Sequence, residues 1–274
     1  MGQSDIIQCA VTKGRINQSV AKWCFEEYWD IEKMCQIAKA LGCKSVELVA
    51  PKDFAVLKKH GLTCAIAFFD DMPDPPFSRG WNNLKHHDLL VDGTKSAIDT
   101  CAKFGSPAVI AFTGYGDGIP DNVGAANCVA GLKRIAGYAE KKKVNVCLEI
   151  LNTRDDSDPM KGHPGYQGNH TEYCVDIIKK VGSPYVKLLF DIYHVQIMDG
   201  DIIMRIQQYK DYIGHYHTAG NPGRSEINGT QEINYPAVMN AIVDTGYTGF
   251  VGHEFLPTLD PLESLKQAVE LCDV

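Results

Sequence analysis

The chain has 274 residues, of which 45% are hydrophobic, and its formal net charge at pH 7 is −7. This length allows one large hydrophobic core or two of ordinary size. The acidic balance and the lack of a Lys/Arg stripe argue against a nucleic-acid partner. No run of about 18 apolar residues predicts a membrane span. The composition therefore favours a soluble protein that acts on a small molecule.

The compartment is predicted from the first residues and the cysteines. The start, Met1-Gly-Gln-Ser-Asp5, is polar and lacks the pattern of a signal peptide. Ten cysteines are scattered along the chain, and none forms a CxxC pair. Scattered cysteines in apolar segments are typical of buried free thiols and of a reducing compartment. We expect a cytoplasmic protein; the alternative is an exported protein whose leader is absent from this sequence.

Short apolar segments alternate with segments of helical periodicity along the chain. The predicted strands comprise residues 16–25, 44–50, 62–69, 107–113, 144–152, 185–194, 213–219 and 249–256. The predicted helices comprise residues 31–41, 52–60, 89–104, 123–143, 172–181, 201–212, 235–245 and 261–272. Several of these helices are followed directly by glycine, a common helix end.

Eight strands that alternate with eight helices over about 250 residues are typical of a (β/α)₈ TIM barrel. We therefore expect an α/β protein with a single TIM-barrel domain over residues 1–274. The alternative is an open doubly wound sheet, which normally has a glycine-rich phosphate loop after its first strand. Here that position is occupied by the bulky, acidic segment Glu26-Glu-Tyr-Trp-Asp30, so the barrel is favoured.

Four ionisable residues lie where successive predicted strands end: Glu149, Asp191, His217 and Glu254. In a TIM barrel these strand ends meet at one mouth, so four consecutive strands place such side chains along one wall. Burying these groups is costly unless they are paired or bind a metal. Two Glu, one Asp and one His suit a divalent cation such as Mn²⁺, Mg²⁺ or Co²⁺. We predict one shared metal site; the alternative is a set of unrelated structural pairs.

Three residues near these strand ends are candidates for substrate binding. His194 follows Asp191 at D-x-x-H spacing. Arg154, just after the fifth strand, either binds a substrate carboxylate or pairs with Asp155. Arg224, on a Pro-Gly loop after the seventh strand, either anchors an anionic or polyhydroxy substrate or is a solvated arginine on a plain turn.

Four segments carry a family resemblance: LEILNTRD at 148–155, FDIYH at 190–194, GNPGR at 220–224 and GTQEINY at 229–235. They resemble hydroxypyruvate isomerase and, more broadly, the xylose-isomerase-like TIM barrels, which include ketose 3-epimerases. The likeness covers nearly the whole chain and is strongest from Val144 to Pro257.

The resemblance implies roles for residues of this chain. Glu149, Asp191, His217 and Glu254 would bind one divalent metal, often Mn²⁺ or Mg²⁺, and the two glutamates would also serve as acid and base. Glu47, at the end of the second strand, matches a position that often contacts substrate.

Two features depart from the resemblance and leave the substrate open. Some hydroxypyruvate isomerases have Gln where this chain has His217. The insert at residues 156–169, which contains His163 and His170, is longer than in compact members of the superfamily. Long loops after barrel strands, here 70–83 and 153–169, commonly carry substrate contacts.

We expect an isomerase or epimerase of carbohydrate metabolism that acts on hydroxypyruvate or a ketose. In this mechanism a metal stabilises an enediolate while two glutamates transfer the proton. The alternatives are a dehydratase of the inosose type, an endonuclease-IV-like repair enzyme and a non-catalytic sugar-binding barrel. The acidic balance disfavours the endonuclease, and two glutamates at one pocket disfavour the binding barrel. The sequence does not decide between a monomer and a homo-oligomer.

Overall fold

The computed structural model describes residues 7–69, 73 and 75–274. Seven strands form one sheet in which all neighbouring strands are parallel, in the order β2–β1–β7–β6–β5–β4–β3. The strands are β1 (Asn17–Ala21), β2 (Ser45–Glu47), β3 (Ala108–Phe112), β4 (Asn145–Glu149), β5 (Val186–Asp191), β6 (Ile213–Thr218) and β7 (Phe250–His253).

Helices follow the strands and bury their apolar faces. They are α1 (Lys22–Phe25), α2 (Ile31–Leu41), α3 (Phe54–Lys59), α4 (His87–Phe104), α5 (Asp121–Lys142), α6 (Thr171–Val181), α7 (Ile192–Met198), α8 (Ile202–Tyr209), α9 (Tyr235–Asp244) and α10 (Pro261–Cys272). Short 3₁₀ turns occur at Pro51–Asp53, Pro76–Ser78 and Leu84–His86. Helix α2 illustrates the local signals, because the Asp30 carboxylate accepts from Lys33 N at its start and Gly42 ends it at φ 97°.

The prediction of eight regular strands is wrong at residues 62–69. Thr63 makes only an isolated parallel bridge to Ser45 in β2, and Ala67 makes one to Val109 in β3. Between them, the backbone N–H of Ala65 donates to the Ser45 hydroxyl at 2.7 Å instead of to a strand carbonyl. This segment thus lies between the two outer strands without completing the ladder. The sheet is a curled TIM-barrel sheet that is not fully closed.

Two predicted strands are longer than those observed because short helices begin inside them. Strand β1 ends at Ala21, where α1 follows, and β5 ends at Asp191, where α7 follows. At the second junction Oδ1 of Asp191 accepts from the backbone N–H of His194 at 3.0 Å and so caps α7. The same carboxyl group therefore ends a strand and starts a helix.

The sheet register places the candidate residues along one edge. Asp191 pairs with His217 across β5 and β6, and His217 pairs with Gly252 across β6 and β7. Glu149 is the last residue of β4, and Glu254 directly follows β7. Because all strands are parallel, these positions share the C-terminal edge of the sheet.

Two further findings concern the chain as a whole. All ten cysteines are free, and all except Cys9 are buried. Among the described residues, none of the helices combines the length and apolar character needed to cross a bilayer.

Candidate functional site

Glu149, Asp191, His217 and Glu254 converge at the C-terminal edge of the sheet. One potential ligand atom from each lies within 4.8 Å of those from the others. Nδ1 of His217 is 3.4 Å from Oε1 of Glu149, 3.9 Å from Oδ2 of Asp191 and 2.9 Å from Oε2 of Glu254. All four side chains are buried. The four predicted ligands therefore form one compact cluster.

This cluster fits a metal ion. Oε1 of Glu149, Oδ2 of Asp191 and Nδ1 of His217 are buried, and although Nδ1 lies 2.9 Å from Oε2 of Glu254, none of the three atoms makes a hydrogen bond of acceptable geometry among the described residues. Leaving a buried polar atom unpartnered costs about 1–3 kcal/mol, so native proteins rarely do so without a ligand. Carboxylate oxygens and an imidazole nitrogen are suitable ligands for a divalent cation. The donor set is thus that of a candidate metal centre.

Glu47 lies behind His217. Oε1 of Glu47 is 2.9 Å from Nε2 of His217 and 3.0 Å from Nε2 of His215. Burial raises the pKa of Glu47, but the two imidazoles outweigh this effect and bring it to about 2. Metal-binding histidines commonly donate their second N–H to such a carboxylate, which fixes the ring.

Glu47, predicted to contact substrate, lies away from the cavity. Its side chain is fully buried, and it does not line the cavity at the mouth. A Cβ on Gly252 would lie 2.0 Å from Oε1 of Glu47, so the absence of a side chain at 252 makes room for this carboxylate. Glu47 therefore lies behind His217, in a position to orient its ring.

Arg224 is enclosed at the mouth, and it is not a solvated arginine. Its Nη2 donates to Oε2 of Glu254 and lies 3.5 Å from Oδ2 of Asp191. Its Nη1 donates to the carbonyl of Met160 at 2.6 Å. The guanidinium also lies 5.1 Å from the centre of the Trp23 ring. The left-handed backbone of Arg224, at φ 53°, is unusual for a residue with a side chain and aims it inward.

His194 is buried beside Asp191 with one nitrogen partnered and the other without a partner. Its Nδ1 lies 3.0 Å from the backbone N of Asn152 and 2.7 Å from Nδ2 of the same residue. Two N–H donors at Nδ1 assign the proton to Nε2. This Nε2 lies 3.8 Å from Oδ2 of Asp191 and has no hydrogen-bond partner among the described residues. His194 is thus a fixed N–H donor beside the cluster.

Arg154 is not brought to the site. Its side chain is exposed, and its Nη1 donates to the carbonyl of Ile197 at 3.0 Å. It does not line the cavity, and the carboxylate of Asp155 instead accepts from the hydroxyls of Ser157 and Tyr193. The backbone leads this side chain outward because the Asn152 amide oxygen accepts from the Arg154 N–H at 3.3 Å in a tight turn.

A cavity of about 270 Å³ opens above the cluster. Glu149, Glu254 and Arg224 form part of its lining. An apolar wall is formed by Phe68, Pro75, Pro76, Phe77, Ile110 and Phe112. This volume suits a molecule of a few carbons. Of the predicted long loop 70–83, residues 70–72 and 74 lie outside the described residues.

Most of the cavity residues were not among the predicted site residues, and three of them contact or flank the cluster: Trp23, Met160 and His163. Nε1 of Trp23 donates to Oε1 of Glu254 at 2.8 Å. The position of the aromatic residue Trp23, just after strand β1, was only a weak sequence signal that it lines the cavity. Met160 and His163 come from the 156–169 insert, and their packing against the mouth depends on tertiary contacts that periodicity does not show.

The pKa values of Glu149 and Glu254 are shifted in opposite directions. Burial, together with the charges of Glu254 and Asp191, raises the pKa of Glu149 to about 7 although His217 opposes the shift. Burial also acts to raise the pKa of Glu254, but His217 and Arg224 hold it well below its usual range. Two carboxyl groups whose pKa values are pushed apart form a common arrangement for acid–base chemistry.

The family described as xylose isomerase-like TIM barrel matches residues 35–273. The chain belongs to this family. The family resemblance predicted from the strand-end motifs is thereby confirmed.

Several relatives and one solved structure of this family are informative. The 2-oxo-tetronate isomerase of Cupriavidus necator is 31% identical over 233 residues, covering 80% of this chain and 85% of that protein. The hydroxypyruvate isomerase of Escherichia coli is 31% identical over 241 residues, covering 85% and 90%. A human relative is 36% identical over 135 residues, which span only 47% of that protein. These bacterial names agree with the predicted isomerase class.

The structural comparison supports the fold. A crystal structure described as AP endonuclease, family 2, from Brucella melitensis superposes with a TM-score of 0.80 at 25% identity. It covers 91% of this chain and 97% of that one. Its name refers to a different activity from that of the bacterial isomerases, so the barrel by itself does not define the reaction.

Proposed function

We propose that this protein is a divalent-metal-dependent isomerase of a small α-hydroxy carbonyl compound, such as hydroxypyruvate or a four-carbon 2-oxo acid. The observation that carries the proposal is the convergence of three unpartnered buried atoms, from Glu149, Asp191 and His217, beside Glu254. The names of the two bacterial relatives support the choice of substrate class.

Glu149, Asp191, His217 and Glu254 would hold the cation. When bound, a divalent cation supplies Lewis-acid charge that stabilises negative charge on neighbouring carbonyl and hydroxyl oxygens. Glu47 keeps the His217 ring in place through Nε2, so that Nδ1 faces the other three residues.

The two glutamates would move the proton. Glu149 lines the cavity, and its carboxylate would take a proton from a substrate carbon bound there. Glu254, on the other side of His217, would serve the adjacent carbon. Arg224, which lines the cavity, would orient a substrate oxygen, and the Nε2–H of His194, buried beside Asp191, would reach an oxygen bound at the cluster.

The proposal is tested by turnover in D₂O. Hydroxypyruvate and 2-oxo-tetronate are incubated with the protein and Mn²⁺, Mg²⁺ or Co²⁺, and the products are followed by NMR and mass spectrometry. An isomerase gives a product of unchanged composition with deuterium at the reacting carbon, whereas a dehydratase gives a product lighter by one water. The matched control is Glu149→Gln, which should not introduce deuterium. Metal-dependent binding of both compounds without turnover would contradict the proposal and favour a binding barrel.

A further inference from the structure

His163, in the loop between β4 and α6, is a buried imidazole that the proposed chemistry does not use. Its side chain is 2% exposed and lines the cavity. Within the described part of the chain, neither ring nitrogen makes a hydrogen bond, and Nδ1 is completely buried. An imidazole buried for packing alone normally finds a polar partner, so this ring points to a ligand.

The backbone around His163 is firmly held although the ring is not bonded. The His163 N–H donates to the carbonyl of Asn152 at 2.8 Å. Nδ2 of Asn152 and the hydroxyl of Tyr193 donate to the carbonyl of Lys161 at 2.7 and 3.0 Å. A Cβ on Gly162 would meet a backbone carbonyl at 2.1 Å, so the segment packs closely against its neighbours. The fold thus fixes the position of the ring and leaves Nε2 as the nitrogen that can meet a ligand in the cavity.

The other polar side chains that line the cavity already have partners or another role. They are Glu26, Glu149, Arg224 and Glu254. Glu26 pairs with a lysine at 2.7 Å, and Arg224 pairs with Glu254. Glu149 belongs to the candidate metal centre. Apart from Glu149 at the candidate metal centre, His163 is therefore the polar lining side chain of the described residues that makes no side-chain hydrogen bond, whereas Arg224 leaves only its Nε unpartnered.

The ring lies outward from the metal-binding residues. Nε2 of His194 is 3.8 Å from Oδ2 of Asp191, and the His163 ring is centred 5.7 Å from the His194 ring. The Phe77 ring follows at 4.2 Å from the His163 ring. A molecule with two oxygens at the cluster would extend past His194 toward His163. The ring is uncharged at neutral pH because burial and Arg224 lower the pKa of His163 to about 4, so it can both donate and accept.

We propose that His163 is a specificity-determining residue that hydrogen-bonds a hydroxyl group on the substrate carbon beyond the two reacting carbons. The inference rests on the proposed function and refines it. It assigns the site to hydroxy-2-oxo acids or ketoses of at least four carbons in preference to three-carbon compounds. The insert at 156–169 then serves to place this imidazole over the far end of the substrate.

The test compares two unreactive ligands that differ by one hydroxymethyl group, erythronate and glycerate. Their dissociation constants are measured by calorimetry with Mn²⁺-loaded wild type, His163→Leu and His163→Gln. The matched control is His170→Gln, because His170 lies at the end of the same loop, is exposed and pairs with Asp199 at 2.6 Å. Metal content and circular dichroism verify each variant.

Wild type should bind erythronate more tightly than glycerate. His163→Leu should weaken erythronate binding about tenfold or more, because the substrate hydroxyl loses its hydrogen-bond partner. It should change glycerate binding by less than about twofold. His163→Gln should recover part of the loss, and His170→Gln should match wild type. In wild type, the ¹⁵N resonances of the His163 ring should move with erythronate and stay in place with glycerate, which provides a readout independent of any variant.

Two results would overturn the proposal in distinguishable ways. If wild type binds erythronate but its affinity is unchanged in His163→Leu and the ring resonances do not move, His163 is a packing residue and the proposed function stands. If wild type binds neither ligand in the presence of Mn²⁺, the proposed substrate class is wrong and the role of His163 falls with it.

Discussion

Nε2 of His217 lies 2.9 Å from Oε1 of Glu47, and Nδ1 of the same ring faces Glu149, Asp191 and Glu254. If Nε2 carries the proton that it donates to Glu47, Nδ1 presents a lone pair to the other three residues. His215 approaches the same Glu47 oxygen at 3.0 Å, which holds the carboxylate from a second side. Glu47 thus holds the His217 ring in the orientation in which Nδ1 faces the candidate metal centre.

Removing this carboxylate should weaken metal binding without removing a ligand. Glu47→Leu is expected to lower Mn²⁺ affinity by about 10–100-fold, the usual effect of losing the partner of a metal-binding histidine. Glu47→Gln should show a smaller loss because its amide oxygen can still accept from Nε2. Competition with a chelator measures the Mn²⁺ affinity of both variants. Glu226→Gln is the control, since Glu226 is a buried carboxylate bonded to Thr258 and Ser264. Wild-type affinity in Glu47→Leu would contradict the positioning role.

Substitution of the proposed metal ligands should have larger effects. Asp191→Asn or His217→Ala is expected to lower metal content strongly, because each removes one of the atoms that converge on the site. Elemental analysis after dialysis against EDTA and reloading gives the measurement. His253→Gln serves as control, because His253 is buried between Gln18 and Thr218 and lies outside the cluster. Full metal occupancy in the Asp191/His217 double variant would rule out the four-residue centre.

Glu149→Gln and Glu254→Gln should separate proton transfer from metal binding. Each keeps an oxygen ligand but loses a basic carboxylate, so turnover should fall about 10²-fold or more while much of the metal binding remains. The two variants should differ, because Glu254 also anchors Arg224 and Trp23. Single-turnover rates and solvent deuterium incorporation are measured. Turnover within about twofold of wild type in both variants would mean that the glutamates are ligands only.

Arg224→Ala should affect more than substrate affinity. An arginine that only anchors substrate changes KM alone, but Nη2 of Arg224 contacts both Glu254 and Asp191. Its loss leaves the buried carboxylates of Glu254 and Asp191 without the guanidinium group, so kcat should fall together with a rise in KM. Breaking a buried pair in this way typically costs about 3–5 kcal/mol, which thermal unfolding should register. Arg224→Lys keeps the positive charge and tests whether the planar guanidinium is needed to contact both carboxylates. A change confined to KM would restore the simple anchoring role.

A pH-dependent contribution to stability is expected at Asp273. Its two oxygens accept from the backbone N–H groups of Thr12, Lys13 and Gly14 at 2.6, 2.7 and 2.7 Å. Burial acts to raise the pKa of Asp273, but these donors outweigh it and hold the pKa below its usual range. A depressed folded pKa stabilises the protein above the unfolded pKa of about 3.9, and this stabilisation is lost as the pH falls through the folded value.

Asp273→Asn should therefore destabilise the protein at pH 7, by about 1–3 kcal/mol for hydrogen bonds to a charged group. The difference from wild type should shrink as the pH approaches the folded pKa. Urea unfolding at several pH values measures whether the difference in the free energy of unfolding shrinks as the pH falls. An Asp273→Asn difference that is the same at neutral and strongly acid pH would contradict it. Asp88→Asn is a surface control, because Asp88 makes only an exposed pair with Arg134.

The sequence was sufficient to predict the parallel strand order and the cluster because both follow from local patterns. A carboxylate at the end of an apolar strand is visible in one line of sequence, and parallel topology then brings Glu149 and Asp191 together. The third strand was overpredicted because its apolar composition does not reveal that the Ser45 hydroxyl replaces a backbone acceptor. His87 is buried, with its Nε2 2.9 Å from the Trp81 carbonyl, a contact that the local sequence does not reveal.

The roles of Glu47, Arg154 and His163 required the structure for a different reason. Whether a side chain faces the cavity or the layer behind it depends on which residues crowd it from distant strands. Glu47 is 170 residues from the histidine that it orients. His163 comes from an irregular loop, where no periodicity indicates which side chains point inward.

Gly252 has a consequence for how this site tolerates change. Any side chain there would collide with Glu47, since even a Cβ would come within 2.0 Å of its Oε1. In a saturation library selected for metal loading, position 252 should therefore retain glycine although it never touches the cation. A larger residue at position 252 would require a smaller one at position 47, and that exchange would remove the carboxylate that orients His217.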